Sequence, residues 1–233
     1  MGGELYSSTL AGLNAQYWWA RGVLTLAVIW LFVDLARSAP WAQVGLKIAL
    51  AATCITVGVV FYGLFLPQAL PETTPVAYRV WLHRVGSVGL IVAGLCGIVD
   101  APRNGTTLVI PERGWRLLAV VGGVVLGLGF PALELVAGHV YPDAQTFGIA
   151  SAPLVIVLLP LLGASRPLAW TGQLWFWLMA LAGLETGLIA PILGLPHSRP
   201  MAGVAVVVGV ALWLRPAKGE ADMIEPRRLD ASE

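Results

Sequence analysis

Three ionisable residues stand deep inside apolar stretches of the sequence: Arg84, Glu134 and Glu185. An ionisable group inside a bilayer is costly and is a functional candidate by default. We expect Arg84 and Glu134 to lie at the same depth on neighbouring antiparallel helices, so the sequence predicts an ion pair between them. Glu185 has no such partner. A neutral carboxyl there could donate a hydrogen bond to a backbone carbonyl, to another helix or to a ligand.

Other charged residues stand nearer to the ends of the apolar stretches. Arg21 and Lys47 have long stems that can carry their charges to the membrane interface, a behaviour typical of lysine and arginine. Asp34 and Arg37 have the i,i+3 spacing of a surface pair on a helix. We therefore interpret these four residues as interfacial rather than functional.

All three histidines fall on the predicted outer side of the membrane: His83, His139 and His197. Imidazoles with the nearby carboxylate of Glu134 are ligands that suit copper, zinc or iron. Their spacing matches no ligand motif such as HExxH. The favoured interpretation is ordinary interfacial histidines, and a metal site is the alternative.

The stretch from Leu82 to Leu90, followed by Gly94, places a histidine before a series of glycines. It resembles the His-then-glycine helices of haem-binding membrane subunits related to the respiratory oxidases. The second and third in-membrane histidines, which ligate the haems and copper there, have no counterpart in this chain. The resemblance implies haem as one cofactor to consider, and the sequence leaves copper and carotenoid open beside it.

Prolines interrupt several of the apolar stretches, which favours broken helices around a pocket. Broken backbone at membrane depth is tolerated only against protein or a cavity. We expect breaks or kinks in the fourth, fifth and sixth stretches, at Pro131, Pro153, Pro160 and Pro191. The candidate outward-facing pocket would be lined by His83, Arg84, Glu134, His139 and Glu185.

The composition explains why these residues are discussed in terms of a bilayer. Of the 233 residues, 58% are hydrophobic and 12% charged, against about 45–50% and about 25% in soluble domains. A crossing helix needs about 20 mostly apolar residues, and about seven stretches qualify. They are residues 17–35, 41–66, 78–99, 115–140, 147–163, 168–195 and 201–214. The sequence therefore predicts an all-α, multi-pass bundle in the cell membrane.

The distribution of positive charge predicts the orientation of this bundle. Short loops rich in Lys and Arg remain cytoplasmic, and the side that holds most of these residues also holds the C-terminus. We expect the N-terminus outside, a single transmembrane domain over residues 1–216, and a polar cytoplasmic tail over residues 217–233. The tryptophans near the predicted helix ends support the spans, because indole rings prefer the headgroup level.

Several classes of function are excluded by what the sequence lacks. A net charge of +1, with no basic cluster before the last residues, argues against nucleic acid as a partner. A seven-helix retinal protein needs a Schiff-base lysine in its last span, whereas the two lysines are Lys47 and Lys218. Cys54 and Cys96 stand in apolar runs, where a thiol behaves as a small hydrophobe.

Three functions remain as hypotheses. The first is a non-catalytic integral subunit of a larger membrane assembly, packed against partner helices, lipid or pigment. The second is a small membrane enzyme, or a redox subunit that binds haem or a metal, using the outward-facing pocket. The third is a transporter, which normally needs more polar groups inside the membrane than this sequence holds.

Overall fold

The computed structural model describes residues 2–69, 75–103, 106–136, 138, 145–148, 150–165, 169–189 and 198–215. Every regular element within these ranges is helical, which confirms the all-α prediction for this part of the chain. Helices are the expected outcome for long apolar runs, because a helix satisfies its own backbone hydrogen bonds where water is excluded.

The elements follow one another with short connections. The α-helices are α1 (Gly2–Ala36), α2 (Pro40–Thr56), α3 (Leu66–Ala69), α4 (Val76–Trp81), α5 (Ser87–Arg103), α6 (Gly114–Leu128), α7 (Phe130–Val136), α8 (Ser151–Ser165), α9 (Trp170–Ile189) and α10 (Ser198–Leu214). Two π-helical segments, π1 (Val57–Phe65) and π2 (Leu82–Gly86), continue α2 and precede α5 respectively.

Several of these helices could cross a membrane. Leu10–Ala36, Pro40–Phe65 and Arg84–Arg103 are long and apolar enough, and a fourth crossing results if α6 and α7 count as one bent span. Ser151–Ser165 and Pro200–Leu214 are apolar but shorter. Helix α1 begins well before the predicted start at Tyr17, where the backbone instead leaves helical geometry (φ −112°, ψ 16°).

The predicted fourth span is not one straight helix. Its two parts, α6 and α7, meet at an angle of 67°. Gly129 ends α6 with a ψ of 7°, and Pro131 lacks the backbone N–H that a continuous helix would need. The break expected at Pro131 is therefore confirmed.

The other three prolines behave differently from Pro131. The break expected at Pro160 is wrong, because α8 continues through that residue. Pro153 lies in the first turn of α8, where the missing N–H has no partner to lose. Pro191 lies outside the described residues.

Helix α8 is the centre of one half of the bundle. All its residues from Ser151 to Ala164 are buried, as expected for a helix that is apolar on every side. It packs against α6, α9 and α10. A Cβ at Gly123 or Gly127 would collide with α8, and one at Gly163 with the backbone of α10. These glycines thus bring the helices close together, as small residues do in membrane bundles.

The other half is built around α5, which packs against α2 on one side and α9 on the other. A side chain at Gly94 would collide with the backbone of α2, and one at Gly97 with the ring of Trp175. Cys54 and Cys96 are free and buried, in agreement with their predicted role as small apolar residues. Helix α9 touches α5, α8 and α10 and so joins the two halves.

Candidate functional site

A buried ion pair joins α2 to α5. The ammonium of Lys47 lies 3.2 Å from Oδ2 of Asp100, and the two side chains are 1% and 0% exposed. Lys47 therefore does not carry its charge to the membrane interface, and that expectation is wrong. Removing two charges from water is expensive, so such a pair persists only when further hydrogen bonds satisfy both groups.

Asp100 receives those further hydrogen bonds from two other parts of the chain. The hydroxyl of Thr171 on α9 donates to Oδ1 over 3.0 Å, and the backbone N–H of Thr106 donates to Oδ2 over 3.1 Å. One carboxylate thus binds α2, α9 and the segment that follows α5. This arrangement fixes helices relative to one another and leaves the carboxylate few free acceptor positions, so we assign it a structural role.

The segment after Thr106 is held to the same end of the bundle by side chains that act like backbone. Gln43 donates to the carbonyl of Leu108 over 2.7 Å and accepts from its N–H over 2.9 Å. The N–H of Val109 donates to Ser165. Beside this segment lies a cavity of about 500 Å³, which the polar loop residues share with the end of α1.

A second polar group lies at the other end of the bundle, where π1 and π2 pack together. Here Glu185 on α9 is 5% exposed, and its Oε1 atom is buried without a hydrogen-bond partner among the described residues. The hydroxyl of Tyr62 lies near Glu185. The hydroxyls of Ser151 and Thr186 hydrogen-bond to each other over 2.9 Å.

Gly86 makes this close arrangement of π1, π2 and α9 geometrically feasible. A Cβ at Gly86 would overlap the ring of Tyr62 and would lie 3.0 Å from Oε1 of Glu185. π-helical turns are rare and frequently occur at functional sites. Two of them beside a buried carboxyl make this the strongest candidate for a binding site in the described part of the chain.

A groove of about 430 Å³ opens between α5 and α9 next to Glu185. Arg84 borders the groove at the same end, and its side chain is exposed. Among described residues, no hydrogen bond or ion pair engages its guanidinium. The structure thus places Arg84 and Glu185 near one another, while the remaining walls of the groove are apolar.

The other predicted site residues do not gather at this groove. Glu134 is fully buried on α7 and is not one of its lining residues, and the predicted ion pair between Arg84 and Glu134 is not found in the described part of the chain. The backbone of His83 belongs to π2, but its side chain lies outside the described residues, as do His139 and His197 entirely. No three His, Cys, Asp or Glu side chains within the described ranges could hold a metal ion.

Arg21 also differs from its predicted interfacial role. It is half-buried and donates to Asn14 over 2.6 Å and to Thr146 over 2.9 Å. Thr146 in turn donates to Asn14 over 3.2 Å. The arginine therefore fastens the segment before α8 to α1, on which both Asn14 and Arg21 lie.

Sequence reasoning missed Asp100, because it ended the third span at Val99. The available signal was the presence of Lys47 in an apolar run, since a buried ammonium requires a carboxylate at its own depth. No known protein-family model matches this chain, and neither curated proteins nor solved structures show significant similarity to it.

Proposed function

We propose that this protein is a non-catalytic integral membrane subunit that packs against helices of a partner in a larger membrane assembly. The proposal includes about seven spans, with the N-terminus outside and the C-terminus in the cytoplasm. For that count, α8, α9 and α10 must cross the membrane together with the longer helices. The complete burial of α8 among α6, α9 and α10 supports its inclusion in the membrane domain.

One observation carries the proposal, namely an apolar groove between α6 and α10. It measures about 370 Å³, and α8 forms its floor. Gly123 in α6 is explained by its close contact with α8, whereas Gly122 beside it faces open space, with no atom within 4 Å of the position that a Cβ would occupy. A helical glycine costs about 1 kcal/mol relative to alanine, and nothing within the described chain compensates for that cost.

A partner helix would account for the glycine at this position. Small residues allow two helix backbones to approach closely in lipid, where hydrophobic burial no longer drives association. Leu118 and Val204 stand on the two rims, 74% and 60% exposed. They are placed as ridges on either side of the helix that we propose to lie over Gly122.

The buried polar groups support a structural rather than a catalytic role. Lys47, Asp100 and Thr171 bind each other, and Arg21 binds Asn14 and Thr146. Groups engaged in this way hold helices in register and have little capacity left for chemistry. Glu185 is different, and its groove is considered separately below.

Site-specific photo-crosslinking in native membranes tests the proposal. A photoreactive residue at Leu118 or Val204 is expected to form an adduct with one other membrane protein. The control position is Leu95 on α5, which is 50% exposed and lines neither groove, and it is expected to react with lipid. Lipid adducts alone from both rim positions would overturn the proposal.

A further inference from the structure

The groove between α5 and α9 has the form of a lipid-chain site with a polar end. Val88, Gly89 and Val92 line it from α5, and Leu178, Leu181 and Ala182 line it from α9. From Arg84 to Val92 the groove extends about 12 Å along the helix axis at about 1.5 Å per residue. Apolar walls of this kind suit a hydrocarbon chain.

The polar end presents opposite charges without joining them. Arg84 is exposed at the mouth, and Glu185 is buried about one half-turn further in, at the level of Gly86. The two are not an ion pair in the described structure. Oε1 of Glu185 is a buried acceptor with no donor among the described residues, and leaving such a group unsatisfied costs free energy. A donor is therefore expected from outside the chain.

We infer that this groove binds a phospholipid with a phosphoethanolamine headgroup, its phosphate at Arg84, its ammonium at Glu185 and an acyl chain along α5 and α9. The inference rests on the proposed membrane location of the chain. Arginine binds phosphate by charge-assisted hydrogen bonds, and a carboxylate binds an ammonium in the same way. Because the two side chains together are neutral, a zwitterionic headgroup matches them, whereas a lone phosphate would face Glu185 with a like charge.

The position of Trp81 agrees with this placement of the headgroup. It lines the same end of the groove and is 42% exposed. Indole rings prefer the level of the lipid headgroups. The phosphate would thus lie at the depth where phospholipid phosphates are found, and the chain would run inward from there.

Native mass spectrometry of the full-length protein in detergent tests the inference with four lipids of equal chain length: phosphatidylethanolamine, phosphatidylcholine, phosphatidylglycerol and phosphatidic acid. We expect phosphatidylethanolamine to bind about tenfold more tightly than phosphatidylcholine, whose quaternary ammonium has no N–H to donate. Glu185→Gln should remove most of that preference. Arg84→Gln should weaken both lipids. Glu112→Gln and Arg103→Gln change exposed residues away from the groove and should leave binding unchanged.

A steric variant tests the position of the chain independently of the charges. No atom lies within 4 Å of a Cβ built at Gly89, so Gly89→Leu fills the groove without a clash at its base. It should reduce binding of phosphatidylethanolamine about tenfold. Gly122→Leu, equally open but on the far groove, should not.

Three results would overturn the inference: equal binding of phosphatidylethanolamine and phosphatidylcholine, an unchanged preference in Glu185→Gln, or tighter binding of phosphatidylglycerol. Binding of all four lipids that Gly89→Leu does not alter would overturn it as well, because it would indicate annular lipid only. The measurement uses the isolated chain and needs no partner. A negative result therefore leaves the proposed subunit function standing, and a missing partner adduct does not affect the lipid preferences.

Discussion

Lys47 and Asp100 meet 3.2 Å apart in the interior of the bundle, each with almost no exposure to solvent. The pair fixes the contact between α2 and α5, and through Thr171 it also holds α9. Burying two charges is costly, so the pair specifies which helices are neighbours more than it adds net stability.

Breaking this pair on one side should be strongly destabilising. Lys47→Met leaves the carboxylate of Asp100 buried without its cation and should lower the free energy of unfolding by about 3–5 kcal/mol. Lys47→Met combined with Asp100→Asn should recover part of the loss, because no unpaired charge remains. Thermal or denaturant unfolding in detergent measures both.

The matched control for that experiment is the exposed pair of Arg37 and Asp34, 3.7 Å apart. Arg37→Met should change stability by less than about 1 kcal/mol, as for other surface pairs. Equal effects of Lys47→Met and Arg37→Met would show that burial of the Lys47 pair is not energetically important.

Gln43 should control the order of the segment that follows α5. Gln43→Leu removes both hydrogen bonds to Leu108, each worth about 1 kcal/mol net, and leaves its backbone groups unsatisfied. Hydrogen exchange at residues 106–110 should become faster, while exchange in α8 stays the same. Gln16→Leu, an exposed site on α1, serves as the control and should change neither.

Close packing of α8 on α10 should tolerate no side chain at Gly163. A Cβ there would overlap the backbone of Gly209, so Gly163→Ala should destabilise the protein by about 1–3 kcal/mol. Gly203, also on α10, has no atom within 4 Å of a Cβ. Gly203→Ala should be neutral or stabilising by up to about 1 kcal/mol. Unfolding temperatures that fall equally in both variants would contradict the packing account.

Cysteine labelling tests the proposed orientation. The native thiols of Cys54 and Cys96 are buried, which keeps the background low. With an impermeant reagent on intact cells, Thr73→Cys should react at once, and Ser232→Cys only after the membrane is permeabilised. A C-terminal tail that reacts from outside would invert the topology and move the three histidines to the cytoplasmic side.

The helices were predictable from the sequence, because apolar runs of suitable length and the intervening Pro and Gly residues determine where helices form. The break at Pro131 followed from its missing N–H. The continuity of α8 through Pro160 did not, since neighbouring helices can stabilise a proline-containing segment in a way that local sequence does not show.

The contacts between buried charges were less predictable. Depth along a helix can be counted from its end, but the direction in which a side chain points depends on helix rotation and packing. Arg84 and Glu134 were matched by depth and do not pair with each other in the described structure, whereas Lys47 found its partner in Asp100, beyond the predicted end of its span. The π-helical turns beside Glu185 have no recognised sequence signal, so the groove that joins Glu185 to Arg84 became visible only in three dimensions.

The mass of the gently solubilised native complex tests the central proposal most directly. Native mass spectrometry of the protein from its own membranes should give a mass above the 24.7 kDa of the chain, made up by at least one different membrane protein in fixed stoichiometry. A species of one chain, or of identical chains alone, that also carries a Soret band, a carotenoid spectrum or stoichiometric copper would contradict the non-catalytic subunit and favour the redox alternative.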